Sequence, residues 1–301
     1  MWFRNLQIYR LTPGYKLDPA DLGERLAKRP LTPCGGLERM RIGWLPVRGE
    51  DSYVYNQNEQ VLIALGIEEK LLPSSVVKQM ADEKADEIEA KEGYRLGSKR
   101  RKEIREQVED ELMPRAFSKR STLYAWLDPV NGWLAIDAAS ASKAEAVVKQ
   151  LAESAPDLPL KLPHTQLSPA VAMTQWLAEN EAPSGFSIDR DCELRLPGED
   201  RATVRYVRHA LDGEEIGEHI AAGKQATRLG LTWADRVSFV LTEKLEIKRL
   251  QFLDILKEQS EQAEDADAMF QIEFALMSGE LAKLMADLIA ALGGEEGEAA
   301  V

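Results

Sequence analysis

Between Pro73 and Pro114 the chain offers too few apolar positions to lie on a hydrophobic core along its length, and this limits what it can fold into. Pro73, Ser74 and Ser75 open a helical tract, VVKQMADEKADEIEAKEGY, that is charged on nearly every face after its first turn. A helix that is polar on most faces projects into solvent or bridges between parts. Gly93 and Gly97 interrupt the tract, and Lys99 to Met113 returns as a second helix that Pro114 ends. The expectation for 73–116 is a projecting helical hairpin with basic residues near its turn.

The stretch Arg95 to Arg120, RLGSKRRKEIREQVEDELMPRAFSKR, holds nine cations: Arg95, Lys99, Arg100, Arg101, Lys102, Arg105, Arg115, Lys119 and Arg120. They stand in a chain of formal net charge -13. The average field of such a chain repels DNA and RNA, so a nucleic-acid role requires cations gathered on one surface. Within KRRKEIREQVEDE the cations precede the carboxylates, against the order the helix macrodipole favours, a mismatch of about 0.3 to 1 kcal/mol per charge that salt screens. Charge alone leaves two readings open, a solvated helix and a polyanion contact.

At 301 residues, 44% hydrophobic and 30% charged, the chain has the composition of a soluble globular protein of one large domain or two to three smaller ones. No apolar run approaches the roughly 20 residues that span a bilayer, and MWFRNLQIYRL carries charge where a signal peptide is apolar. The expected location is cytoplasmic. Cys34 and Cys192 form no CxxC, and His164, His209 and His219 form no HExxH or HxxxH, so reduced structural thiols, no metal site and no cofactor are expected.

The remaining pattern is α+β, with antiparallel sheets and packed helices. In 1–72, an N-terminal α/β part, Trp2 to Leu11 reads as a strand, Asp18 caps a helix through Lys28, and Arg39 to Val47 and Gln60 to Ile67 read as strands. In 117–165, Ser121 to Asp128 and Trp133 to Ala138 form a β-hairpin around Asn131 and Gly132. Ser142 and Glu145 have capping-box spacing for a helix to Ala155, and Pro156, Pro159 and Pro163 mark a linker.

In 166–252, a β-rich part, Ser168 and Pro169 open a helix through Glu179, and strands are expected over Phe186 to Leu196 and Ala202 to Leu211. A short helix near Glu214 to Ala222 precedes strands over Lys224 to Trp233, Arg236 to Leu241 and Leu245 to Phe252. In 253–301 two acidic helices carry an apolar stripe, Phe270, Phe274, Met277, Leu281 and Leu284, whose helical spacing points to core packing. Disorder is expected after Gly293 and Gly294.

A second basic set lies on the strands of 166–252: Arg205, Arg208, Lys224, Arg228, Lys248 and Arg249. Alternation puts Arg205 and Arg208 on opposite faces and Lys224 and Arg228 on one, so part of the set is placed to line a concave face. One enzyme-like pattern is present. Asp235 followed by Glu246-Ile247-Lys248 resembles the acid and acid-x-Lys with which metal-dependent nucleases hold Mg²⁺ beside a phosphate. An ordinary alternating strand explains Leu245 to Leu250 equally well. No GxxxxGK[ST], GxGxxG after a strand, or GxSxG occurs.

Short pieces in a specific order carry a family resemblance. They are Trp2-Phe3 with Asn5-Leu6, Thr32-Pro33-Cys34-Gly35, Gly43-Trp44, Leu72-Pro73-Ser74, Pro114-Arg115-Ala116-Phe117-Ser118 and Val130-Asn131-Gly132. Further on come His219-Ile220 with Ala222-Gly223-Lys224, Lys248-Arg249-Leu250, and Met277 with Gly279-Glu280-Leu281. Along nearly its whole length the chain resembles the RdgC family of bacterial recombination-associated proteins. The resemblance implies a ring-shaped homodimer that encloses duplex DNA in a basic hole, binds it with little sequence preference, and restrains strand exchange by the recombinase RecA. It also implies nucleoid association, with single-stranded DNA as a further candidate partner.

On that resemblance Phe117 matches a dimer-interface residue, with Arg115, Lys119 and Arg120 beside it as phosphate contacts. Arg208 and His209 fall at DNA-facing positions in a stretch that is more basic elsewhere in the family, and Lys224 and Arg228 match basic positions. The bland alternatives are a buried aromatic for Phe117 and ion pairing with Glu109 to Glu111 for Arg115 and Lys119. A non-enzymatic DNA-binding protein is therefore expected. Its rivals are an interaction module that inhibits RecA through acidic C-terminal residues (Glu261, Glu264, Asp265) and a Mg²⁺ nuclease built on Asp235, Glu246 and Lys248.

Overall fold

The structure is a computed structural model that describes all residues except 13–14, 50, 199–200, 261–262 and 297–301. The chain forms two compact units, a larger one of Met1–Leu22, Val54–Leu62 and Tyr124–Val301 and a smaller one of Gly23–Tyr53 and Ile63–Leu123. The architecture is α+β with antiparallel strand pairing in both.

In the smaller unit β2 (Met40–Leu45) pairs antiparallel with β4 (Gln60–Leu71), in register from Met40 opposite Glu69 to Leu45 opposite Ala64. Gly43 faces Gly66 in this ladder because Pro30 and Leu31 cross it. A Cβ on Gly43 would lie 2.5 Å from the Leu31 nitrogen, and one on Gly66 would lie 2.6 Å from the Leu31 side chain. The crossing is fixed by the Leu31 and Trp44 amides, which donate to Trp44 and Arg29 carbonyls at 2.9 Å each.

The helical hairpin consists of α2 (Ser74–Glu92) and α3 (Ser98–Leu112). Gly93 ends α2 at φ 75°, a left-handed conformation open to glycine, and its amide donates to Glu89. The helices are less solvated than their sequence implies. Val77, Ala81 and Ala85 of α2 bury against Ile104 and Val108 of α3, flanked by Leu72, Ile88, Leu96 and Leu112. The seam is one residue wide per turn, and its alanines let the helices approach, so a small core forms where the charge count predicts none. A single 3-10 turn, Met113–Arg115, leads into β5 (Phe117–Asp128). This strand starts four residues before the expected Ser121, because its first six residues are exposed and lack the alternation that marks a strand.

In the larger unit β1 (Gln7–Leu11) pairs antiparallel with β6 (Trp133–Ile136) and with β7 (Leu160–Lys161), a strand inside the proline-marked linker. Residues before Gln7 do not extend β1. The Arg4 and Asn5 amides donate to the Asp137 carboxylate, while Arg4 and Leu6 exchange backbone bonds with Leu250 and Ile247. β3 (Val54–Gln57) returns toward β4 through Asn58 and Glu59 at φ 53° and 63°. Lacking a glycine, that tight turn gives no sequence signal. Asp18 accepts from the Ala20 amide at 2.9 Å as α1 (Pro19–Ala27) begins, as its sequence predicts.

The helix α4 (Ala141–Ser154) starts at Ser140, whose carbonyl receives the Lys143 and Ala144 amides, so Ser142 and Glu145 form no capping box. Ser168 does cap α5 (Pro169–Glu179), accepting from Val171 at 3.3 Å. The five-stranded sheet has the order β12-β11-β10-β8-β9, with β8 Phe186–Arg195, β9 Thr203–Tyr206, β10 Gln225–Trp233, β11 Val237–Thr242 and β12 Ile247–Phe252. Between β9 and β10 runs α6 (Glu214–Ala221). After α7 (Asp254–Ser260), Asp265 caps α8 (Ala266–Ala291). Phe274, Met277, Leu281 and Leu284 of α8 are fully buried, so the apolar stripe is core. Glu295 bridges to Thr165 and the Glu296 amide donates to the His164 carbonyl, so order continues past Gly294. The rest of the expected disordered tail lies outside the described residues.

Candidate nucleic-acid interface

Three breaks in regular pairing give the five-stranded sheet its charged face. On β10, Ala226 opposes Leu194 and Arg228 opposes Glu193, so one extra residue, Thr227, enters the strand. Cross-strand partners share a face, and the extra residue moves Arg228 to the side opposite buried Ala226. This corrects the alternation argument: Lys224 and Arg228 do not share a face, and Lys224 precedes the strand and turns its ammonium to the His219 ring at 3.3 Å.

On β8, Cys192 and Ile188 oppose Leu229 and Leu231, so Asp189 to Asp191 bulge out. On β12, Gln251 and Lys248 oppose Ser238 and Val240, leaving an extra residue near Arg249, which sits at φ 51°. A non-glycine residue in the left-handed region costs about 1 to 2 kcal/mol, and such strain persists only where the surroundings hold it.

Asp191 supplies that hold. Its carboxylate accepts from the Arg249 guanidinium at 2.9 Å and from the Arg208 amide at 2.8 Å, and Arg208 is itself left-handed at φ 55°. Arg205, Arg228, Lys248 and Arg249 thereby line a single cleft of about 150 Å³ together with Tyr206, Asp191 and Glu193. Lys248 bonds the Glu246 carboxylate at 3.0 Å and the Ala139 carbonyl at 3.2 Å. Burial alone raises the Glu246 carboxyl, and bonds from Lys248, Gln7 and Thr242 outweigh it and hold the group below the usual carboxylate range. Arg205 and Arg228 are exposed and have no ion pair among the described residues. Arg208 and Lys224 do not line the cleft, and the His209 ring lies beside Tyr206 with centroids 5.2 Å apart.

The first basic set, on the smaller unit, divides in two. Arg101 bonds Glu89 at 2.7 Å, and the same carboxylate takes the Leu96 amide at 2.8 Å. The Leu96 bond and then the Arg101 bond hold the Glu89 carboxyl below its ordinary range. Arg100 pairs with Glu103, Lys102 with Glu106, and Arg120 with Glu68. These cations brace the fold, as the solvated-helix reading has it. Lys99, Arg105, Arg115 and Lys119 are exposed and have no ion pair among the described residues. The alternative partners of Arg115 and Lys119 are taken, Glu109 by Arg39 and Glu111 by Lys84. Phe117 is 85% exposed, which overturns its reading as a buried aromatic.

The nuclease constellation is not assembled. Asp235 lies in the turn before β11 and Glu246 in the turn after it, and β11 pairs Val237 with Phe252 at one end and Leu241 with Ile247 at the other. At about 3.3 Å per residue a six-residue strand separates the two acids by roughly 20 Å, too far to share one ion. Among the described residues no group of three or more His, Cys, Asp or Glu is placed to hold a metal ion. Of the acids in the interaction reading, Asp265 caps α8 through the Ala268 amide at 2.7 Å, Glu264 is exposed, and Glu261 lies outside the described residues. Among the described residues no helix is long and apolar enough to cross a membrane.

Fold and cleft together define an α+β chain whose bulged antiparallel sheet gathers arginine and lysine against the sign of its net charge. The chain belongs to the RdgC family, whose model, described as "Putative exonuclease, RdgC", matches residues 1–295. It is 52% identical over 303 residues to the recombination-associated protein RdgC of Dechloromonas aromatica, covering 99% of this chain and 100% of that one. It is 50% identical to the protein of that name from Herminiimonas arsenicoxydans and 49% to the one from a Janthinobacterium species, each over 98% of this chain and 99% of the relative.

Proposed function

We propose that the chain is a non-enzymatic, sequence-independent duplex-DNA-binding protein that works as a ring-shaped homodimer and limits access of the recombinase RecA to DNA. The observation that carries the reading is the convergence of Arg205, Arg228, Lys248 and Arg249 on one cleft of an acidic chain. A strongly negative body with a local cationic surface attracts phosphate there and repels it elsewhere. No recognition helix stands out for base-edge readout in the major groove, which suits contact with the phosphate backbone.

Ring closure would make retention on DNA topological as well as ionic. Phe117, 85% exposed at the start of β5, is the side chain assigned to the contact between copies, with Arg115 and Lys119 beside it as further phosphate contacts. Occlusion of duplex DNA would restrain RecA-driven recombination and place the protein at the nucleoid.

The test is fluorescence-anisotropy binding of random-sequence duplex across a salt series, with light scattering for oligomeric state. Each neutralised phosphate contributes about -0.9 to the slope of log affinity against log salt, so a steep slope is expected. A flat response would overturn the reading in favour of protein interaction. The exonuclease term in the family description supplies a second reading, which fails if labelled linear duplex keeps its length through long incubation with Mg²⁺ or Mn²⁺.

A further inference from the structure

The proposed function needs cations in the cleft but gives no use for the rest of its lining. Cys192 and Val240 form an uncharged floor, Tyr206 stands at one side, and two carboxylates, Asp191 and Glu193, sit among the cations. Carboxylates repel phosphate, so a site built for the backbone alone would do better without them. Asp191 is accounted for by its bonds to Arg208 and Arg249. Glu193 is not. Its Oε1 accepts from the Thr227 hydroxyl at 2.8 Å, and its Oε2 has no hydrogen-bond partner among the described residues.

The size of the cleft narrows the choice of ligand. At about 150 Å³ it matches cavities of about 150 Å³ that hold one benzene ring. Tyr206 is half-buried, with its ring held between His209 at 5.2 Å and His219 at 6.3 Å between centroids, so it presents a fixed aromatic surface. Burial pushes the Cys192 thiol up to about 12, with Asp191 and Glu193 adding to the rise, so the floor stays neutral at physiological pH.

An aromatic wall, an apolar floor, one unused acceptor and flanking guanidinium groups are what an unpaired base with its two phosphates requires. Sequence-tolerant single-strand sites combine a cationic track with stacking aromatics, and a carboxylate accepts from the exocyclic amino group of cytosine. We propose that this cleft takes one unpaired nucleobase, stacked on Tyr206 with its amino group on Glu193 and its flanking phosphates on Arg205 and Arg228. The inference rests on the DNA-binding reading and names the DNA the site favours: a duplex or strand with a base already out of the stack, where extrusion costs least.

The test uses the full chain and three labelled duplexes of one sequence: fully paired, with a single cytosine bulge, and with an abasic residue in that bulge. The cytosine bulge is expected to bind about tenfold tighter than the abasic bulge, the scale of one base–aromatic stack. That ratio falls to near one in Tyr206→Ala and returns in Tyr206→Phe, which keeps the ring. Equal binding of cytosine and abasic bulges by the unaltered protein overturns the base site and leaves the DNA-binding reading standing. Salt-dependent binding to none of the three duplexes overturns both.

Discussion

Arg249 sits at φ 51° with its guanidinium 2.9 Å from the Asp191 carboxylate, so a strained backbone and an ion pair meet in the residue that closes the cationic cleft. Two effects oppose each other there. The left-handed backbone costs about 1 to 2 kcal/mol, and the pair, with Arg249 60% exposed, returns no more than about 0 to 1 kcal/mol. The conformation is therefore held at a net cost to the fold. Arg249→Gly should leave thermal stability unchanged or slightly raised, because glycine adopts that backbone freely. It should also weaken duplex binding and flatten the salt slope by about 0.9. Calorimetry and anisotropy on one preparation separate the two effects.

The extra residue at Thr227 predicts unequal roles for two cations that the sequence places together. Arg228→Glu should reduce duplex affinity and the salt slope, since Arg228 lines the cleft and has no ion pair among the described residues. Lys224→Glu should have the smaller effect, since Lys224 lies outside the cleft beside His219. Equal losses in the two variants would mean that the bulge does not govern which cations meet DNA.

The seam of the helical hairpin sets its stability. Ile104→Ala removes the largest side chain of a five-residue buried cluster and should destabilise the hairpin by about 2 to 5 kcal/mol. Hydrogen exchange should then accelerate over Ser74–Leu112, while the five-stranded sheet of the larger unit keeps its protection.

Acid should weaken the smaller unit through Glu68. The Arg120 guanidinium at 2.6 Å, joined by the Cys34 amide and the Ser118 hydroxyl, holds this carboxyl below its ordinary value of 4.5. A depressed folded value stabilises the fold above the ordinary one, and that contribution disappears as pH falls through the lower value. Melting curves should show the advantage of the unaltered chain over Glu68→Gln at neutral pH, and its decline below about pH 4.5.

The two cysteines should differ sharply toward an alkylating reagent. With its thiol pushed up to about 12, Cys192 is ionised to the order of one part in ten thousand at pH 8. Cys34 is half-buried, its thiol donating to the Glu68 carbonyl at 3.3 Å. Mass spectrometry after timed labelling should find Cys34 modified first and Cys192 protected until the chain unfolds.

Local periodicity and punctuation were readable directly. The Ser168 cap, the Gly93 stop, the Asn131-Gly132 turn and the buried stripe of α8 each depend on residues within one or two turns of one another. What failed was whatever depended on a distant partner. The early start of β5 and the seam between α2 and α3 offer no apolar alternation or wide stripe of their own. β3 turns on Asn58 and Glu59, which no glycine marks.

The candidate site divides the same way. The sequence alone determined that cations run against the sign of the chain, that they come as two sets, and that the surrounding pieces follow the order of the RdgC family. Only the tertiary structure decided which cations are free. Glu89, Glu103, Glu106 and Glu68 engage Arg101, Arg100, Lys102 and Arg120, leaving Lys99, Arg105, Arg115 and Lys119 without ion pairs among the described residues. It decided too which strand cations share a face, because one inserted residue reverses every side chain beyond it. Charge sign and helix period are properties of a segment, whereas pairing and register belong to two strands or two helices at once.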